Sequence, residues 1–221
     1  MQSDIEKENA AQAAVELVQP GMIIGLGTGS TAACAVHAIG RRVKDGLCIQ
    51  AVPTSAQTAV LAQQYNIPLL GIGAAGTIDL TIDGADEFTE SLHLIKGGGG
   101  ALLKEKIVAV KSRRVVIIAD SSKRVAALGK FWVPVEVVPD AAAYVMRQLG
   151  VPGELRQKEG KLFVTEEGNH IIDADFGLIK DVQQLDAELN NIVGVVEHGL
   201  FAGIASRVIM GEGNTVRIFD N

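Results

Sequence analysis

The feature that most constrains the fold is an alternation of apolar runs of strand length with helix-like segments in the first 120 residues. Strand-like runs lie at 22–26, 47–52, 77–83 and 115–120, and helix-like segments lie at 4–18, 31–40, 55–65 and 101–110. Parallel strands need long crossovers, usually helices, so this alternation predicts a parallel sheet with helices on its faces. We therefore expect an α/β fold with a Rossmann-like domain of three layers.

The pattern changes near residue 130. Beyond it, the segments are a strand at 133–138, a helix at 141–150, a hairpin over 154–158 and 161–175, a helix at 181–192 and a strand at 193–201. This β-α-β-β-α-β order predicts a ferredoxin-like α+β unit. A hairpin-like stretch at 206–219 is expected to return to the first sheet. We predict a catalytic α/β domain at 1–129 and 205–221, and a small α+β domain at 130–204.

Charge and hydropathy exclude several classes of partner. The chain has 26 acidic and 20 basic residues, a formal net charge of −6 and no long block of either sign. This composition disfavours non-specific nucleic-acid binding. The first residues lack the basic and apolar segments of a secretory signal, and no apolar run reaches membrane-spanning length. We therefore expect a cytoplasmic protein with no nucleic-acid or membrane partner.

The cysteines and histidines lack the spacing of a metal site. Cys34 and Cys48 lie in apolar surroundings, which predicts buried free thiols rather than a disulfide. The four histidines are scattered, and we expect them at the edge of the core or on the surface. Trp132 and Tyr144 are expected in the core of the small domain.

Unusual polar residues follow each of the predicted strands of the first sheet. The loops are "GLGTGST" (25–31), "PTS" (53–55), "DGADE" (83–87) and "DSSK" (120–123). In an open parallel sheet, ligands bind beyond the carboxyl ends of the strands, where loops and helix N-termini converge. These loops are therefore expected to form one ligand site.

The first loop is suited to a phosphate. Gly27 and Gly29 allow close approach of the backbone, and Thr28, Ser30 and Thr31 place hydroxyls at a helix N-terminus. The alternative is a tight turn in which Ser30 or Thr31 caps the helix. The dinucleotide fingerprint would need glycine at Ser30, and the P-loop would need a following Gly-Lys-Ser/Thr. We expect a phosphate group here and no nucleotide cofactor.

The third loop and the glycines that follow it combine acids, a cation and free backbone. Asp83 and Asp86 are expected near Lys96, which precedes the four glycines at 97–100. Glu105 lies at the border of an apolar helix face, where partial desolvation raises the pKa of a carboxyl group. The alternative for "DGADE" alone is a solvated acidic turn. Together, the acids could move protons while the lysine and N–H groups stabilise an oxyanion.

Two further residues are candidates for the ligand site only because of their position in the predicted sheet. Ser55 and Lys123 fall at the same edge of the predicted sheet, although Ser55 could simply cap the next helix and Lys123 could be a solvated loop residue. We expect no metal at Asp83 and Asp86, because the adjacent lysine already supplies positive charge.

Several motifs in one order resemble the ribose-5-phosphate isomerase A family. They are "GLGTGSTA", "DGADE", "IKGGGG" followed by "KEKI", "ADSSK", "LGKFWVPVEVVP" and "GLFA", and they span almost the whole chain. The resemblance implies cofactor-free interconversion of D-ribose 5-phosphate and D-ribulose 5-phosphate in the non-oxidative pentose phosphate pathway. It also implies a homo-oligomer, with a homodimer as the expected form. Gly100, where the family often has alanine, and Gly203, where asparagine is familiar, depart from the pattern.

The resemblance also implies roles for individual residues. Glu105 matches the catalytic base, and Asp83, Asp86 and Lys96 match the other catalytic residues. Thr28, Ser30, Thr31 and Lys123 match substrate-binding positions. With the loop positions above, the expected substrate-binding set is Gly27, Thr28, Gly29, Ser30, Thr31, Ser55, Asp83, Asp86, Lys96, Gly97, Gly98 and Lys123.

Two other functions stay open, because a fold does not determine a function. One is a related enzyme, either an amino-sugar phosphate deaminase, which often has a histidine at the rim of its site, or an acyl-CoA transferase, which needs a nucleophilic glutamate such as Glu105. The other is a non-catalytic sugar-phosphate sensor, which would keep the phosphate loop and have no need for the acids and the lysine.

Overall fold

The structure is a computed structural model, and it describes residues 2–220. In this range the α-helices are α1 (Gln2–Val15), α2 (Ser30–Lys44), α3 (Ala56–Gln64), α4 (Leu102–Val110), α5 (Ala142–Leu149) and α6 (Val182–Asn190). Short 3₁₀ helices lie at Ser121–Lys123 and Pro139–Ala141. Each predicted helix is present, with ends shifted by a few residues.

The central sheet is mostly parallel. In chain order the strands are β1 (Ile23–Leu26), β2 (Gln50–Pro53), β3 (Leu80–Asp83), β4 (Glu87–Phe88), β5 (Leu94–Ile95), β6 (Val115–Asp120), β7 (Val133–Val137), β8 (Gly153–Leu155), β9 (Gln157–Lys158), β10 (Lys161–Leu162), β11 (His170–Ala174), β12 (Val195–His198), β13 (Leu200–Phe201), β14 (Arg207–Glu212) and β15 (Thr215–Asp220). Six form the central sheet in the order β15-β14-β6-β3-β1-β2. Only β15, beside β14, is antiparallel to its neighbour. This sheet confirms the predicted α/β class.

The packing of β6 shows why its residues 115–119 are all apolar. Val116 and Ile118 pack into the core cluster shared with α1 and α2. Val115 and Ile117 point to the opposite face, where they pack with Ala109 of α4. A strand buried on both faces needs apolar residues at every position, not only at alternate ones. The helices on the two faces complete the predicted three layers.

The second sheet is small and antiparallel. Its strand order is β12-β7-β11-β8, and α5 and α6 pack against it. For a β-α-β-β-α-β unit this is the order fourth, first, third, second, as the ferredoxin-like prediction requires. A third sheet, β13-β5-β4, joins residues on both sides of the predicted domain boundaries, which stay a prediction.

The predicted burial of two aromatic residues is wrong. Trp132 is 37% exposed and Tyr144 is 42% exposed. The helix α5 buries Ala142, Val145 and Leu149, so the side chain of Tyr144 lies on the other face of this helix. An aromatic residue in an amphipathic segment is therefore a poor guide to which face is buried.

Two other predictions of burial are also wrong: the thiols are less buried than predicted, and one histidine is more buried. Cys34 is half-buried and Cys48 is exposed, and both thiols are free. His198, expected at the core edge or surface, is fully buried, and its Nδ1 accepts a hydrogen bond from the N–H of Leu200 at 3.3 Å. Burial lowers the pKa of His198 to about 3. Among residues 2–220, no helix is long and apolar enough to span a membrane.

Candidate active site

The loops that follow β1, β3, β5 and β6 meet around one cavity at the carboxyl edge of the central sheet. It is lined by Thr28, Gly29, Ser30, Thr31, Ala32, Gly84, Ala85, Asp86, Lys96, Gly97, Gly98, Gly99, Glu105 and Lys123. Most of the residues predicted from the sequence are therefore brought together. Three of them, Gly27, Ser55 and Asp83, lie behind this lining and contact the residues that form it.

Asp83 is fixed by the loop after β1. Its Oδ1 accepts hydrogen bonds from the N–H of Thr28 at 3.1 Å and from the N–H of Gly84 at 2.7 Å. A Cβ at position 27 would lie 1.9 Å from the same oxygen, so Gly27 is required for this close approach. The second oxygen of Asp83 is left to contact a cation.

That cation is Lys96, which is only 3% exposed. Its Nζ lies 2.9 Å from Asp83 Oδ2 and 3.5 Å from Glu105 Oε2, and it donates to the carbonyl of Gly84 at 2.6 Å. It also lies 5.5 Å from the centre of the Phe201 ring. Burial lowers the pKa of Lys96, but the charges of Asp83 and Glu105 outweigh burial and raise it above its usual value. The lysine is therefore a stable cation in the wall of the cavity.

Glu105 has the properties of a proton carrier. It lies in the first turn of α4, is 3% exposed, and its Oε2 has no hydrogen-bond partner within residues 2–220. Burial raises the pKa of Glu105 to about 8, against the lowering effect of Lys96. A carboxyl group that titrates near neutral pH can both accept and return a proton.

Hydrogen bonds within the protein fix the peptide groups of the glycine loop that lines the cavity. The N–H of Gly98 donates to Asp86 Oδ2 at 2.7 Å, and the N–H of Gly100 closes a turn on the carbonyl of Gly97 at 2.9 Å. Gly97 and Gly100 have φ values of 96° and 81°, which favour glycine. A Cβ at Gly100 would lie 2.4 Å from the ring of Phe163. Glycine at position 100 therefore leaves room for an aromatic ring from the region of the second sheet.

The phosphate loop forms the opposite wall. Gly29 precedes α2 with a φ of 115°, and no side chain caps this helix, so Ser30 and Thr31 are not used as caps. Both line the cavity at the N-terminus of a 15-residue helix. Lys123 lines the cavity from the 3₁₀ helix after β6. Free N–H groups, hydroxyls and a cation together are suited to a phosphate.

Ser55 supports this loop from behind. Its Oγ caps α3 by accepting from the N–H of Thr58 at 3.1 Å, as the structural alternative predicted. The same oxygen accepts from Thr28 Oγ1 at 2.8 Å. A direct contact between Ser55 and a substrate stays a prediction.

Sequence reasoning missed the parts of the site made by backbone and by distant residues. Gly84 and Ala85 line the cavity, and their position within "DGADE" was a signal that could have identified them. Gly99 lines it too. Arg156, from the second sheet, donates to the carbonyl of Gly97 at 2.6 Å, and no local pattern indicated this contact.

Comparisons with known proteins agree on one family. A sequence model of ribose 5-phosphate isomerase A (phosphoriboisomerase A) matches residues 50–215. The ribose-5-phosphate isomerase A of Roseobacter denitrificans is 49% identical over 96% of this chain and 85% of that protein. The protein of the same name from Parvibaculum lavamentivorans is 48% identical over 96% of each chain.

Solved structures show the same relationship. A D-ribose-5-phosphate isomerase in complex with phospho-erythronic acid superposes with a TM-score of 0.97 and 38% identity, covering 100% of both chains. The ribose 5-phosphate isomerase A of Methanocaldococcus jannaschii superposes with a TM-score of 0.93 and 42% identity, covering 97% of this chain and 98% of that one. The resemblance in the motifs is confirmed, and the chain belongs to the ribose 5-phosphate isomerase A family.

Proposed function

We propose that this chain is an aldose–ketose isomerase that interconverts D-ribose 5-phosphate and D-ribulose 5-phosphate, with Glu105 as the proton carrier. The observation that carries this proposal is the buried Glu105 carboxyl group in the cavity wall, whose Oε2 has no hydrogen-bond partner within residues 2–220 and lies 3.5 Å from the Lys96 cation. The names of the similar proteins support the same reaction.

The reaction moves a hydrogen from C2 to C1 and the carbonyl group from C1 to C2. Ionised Glu105 removes the C2 proton, and the electron pair of the broken bond forms an enediolate with negative charge on the C1 oxygen. Lys96 and the glycine N–H groups stabilise this charge. The protonated Glu105 then returns the proton to C1, and the proton of the C2 hydroxyl passes to the C1 oxygen, so that C1 becomes a hydroxymethyl group and C2 becomes the ketone.

The two aspartates differ in their surroundings, which supports different roles. Asp83 contacts Lys96 at 2.9 Å and is buried, so it positions the lysine. Asp86 lines the cavity beside Gly98, where its carboxylate can take a proton from a sugar hydroxyl as the ring opens.

The alternatives have less support. None of the cavity-lining residues in the described range is a histidine, the base expected of a deaminase. A sensor would have no need to bury Glu105 beside Lys96, since the burial of a carboxyl group that lacks a full set of hydrogen bonds costs stability.

We also propose that the protein acts in the cytoplasm, in the pentose phosphate pathway, and as a homodimer. Family membership supports the pathway, and exposed apolar side chains near the second sheet, such as Val138 and Val193, supply surface for association. Light scattering of the purified protein measures the oligomeric state, and a monomer at micromolar concentration would contradict the dimer.

The phosphate wall leads to a prediction about substrate choice. The double variant Ser30→Ala, Thr31→Ala is expected to raise KM for ribose 5-phosphate at least about 10-fold, because hydrogen bonds to a charged group contribute about 1.5–3 kcal/mol each. The slow reaction with free ribose is the control and should change little. Steady-state kinetics with both sugars measure this, and equal losses on the two would remove these hydroxyls from phosphate binding.

The reaction itself is tested in D₂O with excess EDTA. We expect conversion of ribose 5-phosphate to ribulose 5-phosphate with deuterium at C1, detected by NMR, because a proton carried by a carboxyl group exchanges with solvent. No conversion under any condition would overturn the isomerase function. If conversion stops in EDTA and returns when a divalent ion is added, a metal ion, and not Lys96, stabilises the enediolate.

Conversion without deuterium at C1 has two explanations. Either a hydride moves directly from C2 to C1, or the proton on Glu105 is transferred faster than it exchanges with solvent. The variant Glu105→Gln separates these, because only proton transfer through the carboxylate should be lost in it.

A further inference from the structure

A guanidinium group from outside the central sheet contacts the glycine loop. Arg156 lies between β8 and β9, and its side chain is 12% exposed. Its Nε donates to Asp173 Oδ2 at 2.9 Å, and its Nη2 contacts the other oxygen of the same carboxylate. Its Nη1 donates to the carbonyls of Gly97 at 2.6 Å and Gly98 at 3.3 Å. The bidentate pair with Asp173 therefore directs one nitrogen at two successive peptide groups.

These two contacts determine where the next N–H groups point. In a planar trans peptide, the carbonyl and the following N–H point in opposite directions. With the carbonyls of Gly97 and Gly98 held toward Arg156, the N–H groups of Gly98 and Gly99 point toward the cavity side. The first donates to Asp86 Oδ2 at 2.7 Å. The second has no hydrogen-bond partner in the described part of the chain and belongs to a residue that lines the cavity.

Without such contacts the loop would sample many orientations. Four successive glycines lose more backbone entropy on ordering than any other residues, so their peptide groups need external hydrogen bonds to stay in one orientation. Asp173 is the fourth of the five residues of β11 and is paired with both β7 and β8, so it is a rigid support for Arg156. A cation at the carbonyl oxygens also polarises the same peptide groups and strengthens their N–H donors.

We propose that Arg156 is a positioning residue that holds the N–H of Gly99 in the orientation that stabilises the enediolate, and the N–H of Gly98 on Asp86. This proposal rests on the proposed isomerase function and extends it to the second sheet, which contributes to the reaction through Arg156 and Asp173. Arg156 is not among the described residues that line the cavity, so it acts through the glycine loop. Its effect is expected in the transition state and much less in the binding of the phosphate group.

The test compares Arg156→Ala and Arg156→Lys with the wild type. In Arg156→Ala we expect kcat to fall about 10²-fold, because misplaced donors lose their interaction with the developing charge, while KM changes by less than about threefold. Phospho-erythronic acid, whose carboxylate resembles the enediolate in charge, should bind more weakly by a similar factor, as measured by calorimetry. Inhibition by inorganic phosphate should be nearly unchanged. Added guanidinium ion should restore part of the activity of Arg156→Ala.

A matched control is Arg207→Ala. Arg207 also forms a bidentate pair with an aspartate, Asp220, but on the β14–β15 hairpin and away from the cavity. We expect this variant to retain wild-type kcat. The role of Arg156 is contradicted if Arg156→Ala keeps kcat within about threefold of wild type, or if it loses phosphate and phospho-erythronic acid binding equally.

Two further results keep the test decisive. If Arg156→Ala does not fold, as judged by circular dichroism, Arg156→Lys takes its place. Lysine keeps the charge but cannot contact Asp173 and both carbonyls together, so the same selective loss of kcat is expected, and normal kcat overturns the proposal. Absence of turnover by the wild type contradicts the proposed function, whereas an active wild type with unaffected variants contradicts only the role of Arg156.

Discussion

Replacing Glu105 by glutamine is expected to lower kcat by at least about 10²-fold while the protein still folds. Glutamine has the size and shape of glutamate and removes the basic oxygen, so the proton of C2 has no acceptor. The fold should tolerate the change, because burial already raises the pKa of Glu105 to about 8 and favours its neutral form. Steady-state kinetics and a thermal melt of the same preparation measure the two effects.

The pH dependence gives an independent check on this residue. Proton removal needs the ionised carboxylate, so kcat/KM of the wild type should rise with pH until about pH 8 and then level off. The control is Glu136→Gln, since Glu136 is fully buried and burial also raises its pKa, but it binds Thr165 and Asn169 in the region of the second sheet. Normal turnover by Glu105→Gln, or an equal loss in the control, would remove Glu105 from the proton transfer.

Replacing Lys96 by alanine is expected to lower kcat about 10²- to 10³-fold, with a smaller effect on KM. In the proposed mechanism the enediolate charge develops beside Glu105, 3.5 Å from the Nζ of Lys96, and the interaction with this cation strengthens as the charge forms. A defect in KM alone would assign Lys96 to binding of the phosphate group.

The same change should also destabilise the fold. Asp83 and Glu105 would stay buried without the cation, and removal of one partner from a buried ion pair costs about 3–5 kcal/mol. Lys106→Ala is the matched control, because Lys106 lies 4.9 Å from the Phe201 ring and Lys96 lies 5.5 Å from it, yet Lys106 does not line the cavity. We expect the control to keep most of its turnover. Denaturant unfolding and kinetics of both variants separate stability from catalysis.

The central sheet could be predicted because its signals are local. The strand β6 is apolar from Val115 to Ala119 and buried on both faces, and helices with apolar stripes lie between the strands. The ferredoxin-like unit could be predicted from the order of its strands and helices. The exposure of Trp132 and Tyr144 could not be predicted from that order. Which face of a short helix is covered depends on the packing of the whole unit, which a local pattern does not contain.

The site was predictable to the extent that it lies on loops at the carboxyl ends of parallel strands. Glu105 and Lys96 were identified because an acid beside an apolar stripe and a lysine before four glycines are unusual. The contact between Arg156 and Gly97 was not predictable. The two residues are 59 positions apart in sequence, and their contact depends on how the second sheet packs against the glycine loop.

The same limit applies within a single motif. Glu87 of "DGADE" accepts hydrogen bonds from the N–H groups of Gly129 at 2.8 Å and Phe131 at 2.7 Å. It therefore supports the chain just before β7, while Asp83 and Asp86 of the same motif contact Lys96 and Gly98. Three acids in five residues have different roles, and only their partners distinguish them.

The position of β14 has a consequence for protein synthesis. This strand lies between β6 and β15 and pairs in parallel with β6, although more than 80 residues separate the two in sequence. As the chain leaves the ribosome, β6 emerges long before its partner, and the whole second sheet, from β7 to β12, is made in between. Until residue 212 has been added, β6 has an open, apolar edge of the kind that pairs with other chains. We expect nascent chains that stop before β14 to aggregate and to depend on chaperones.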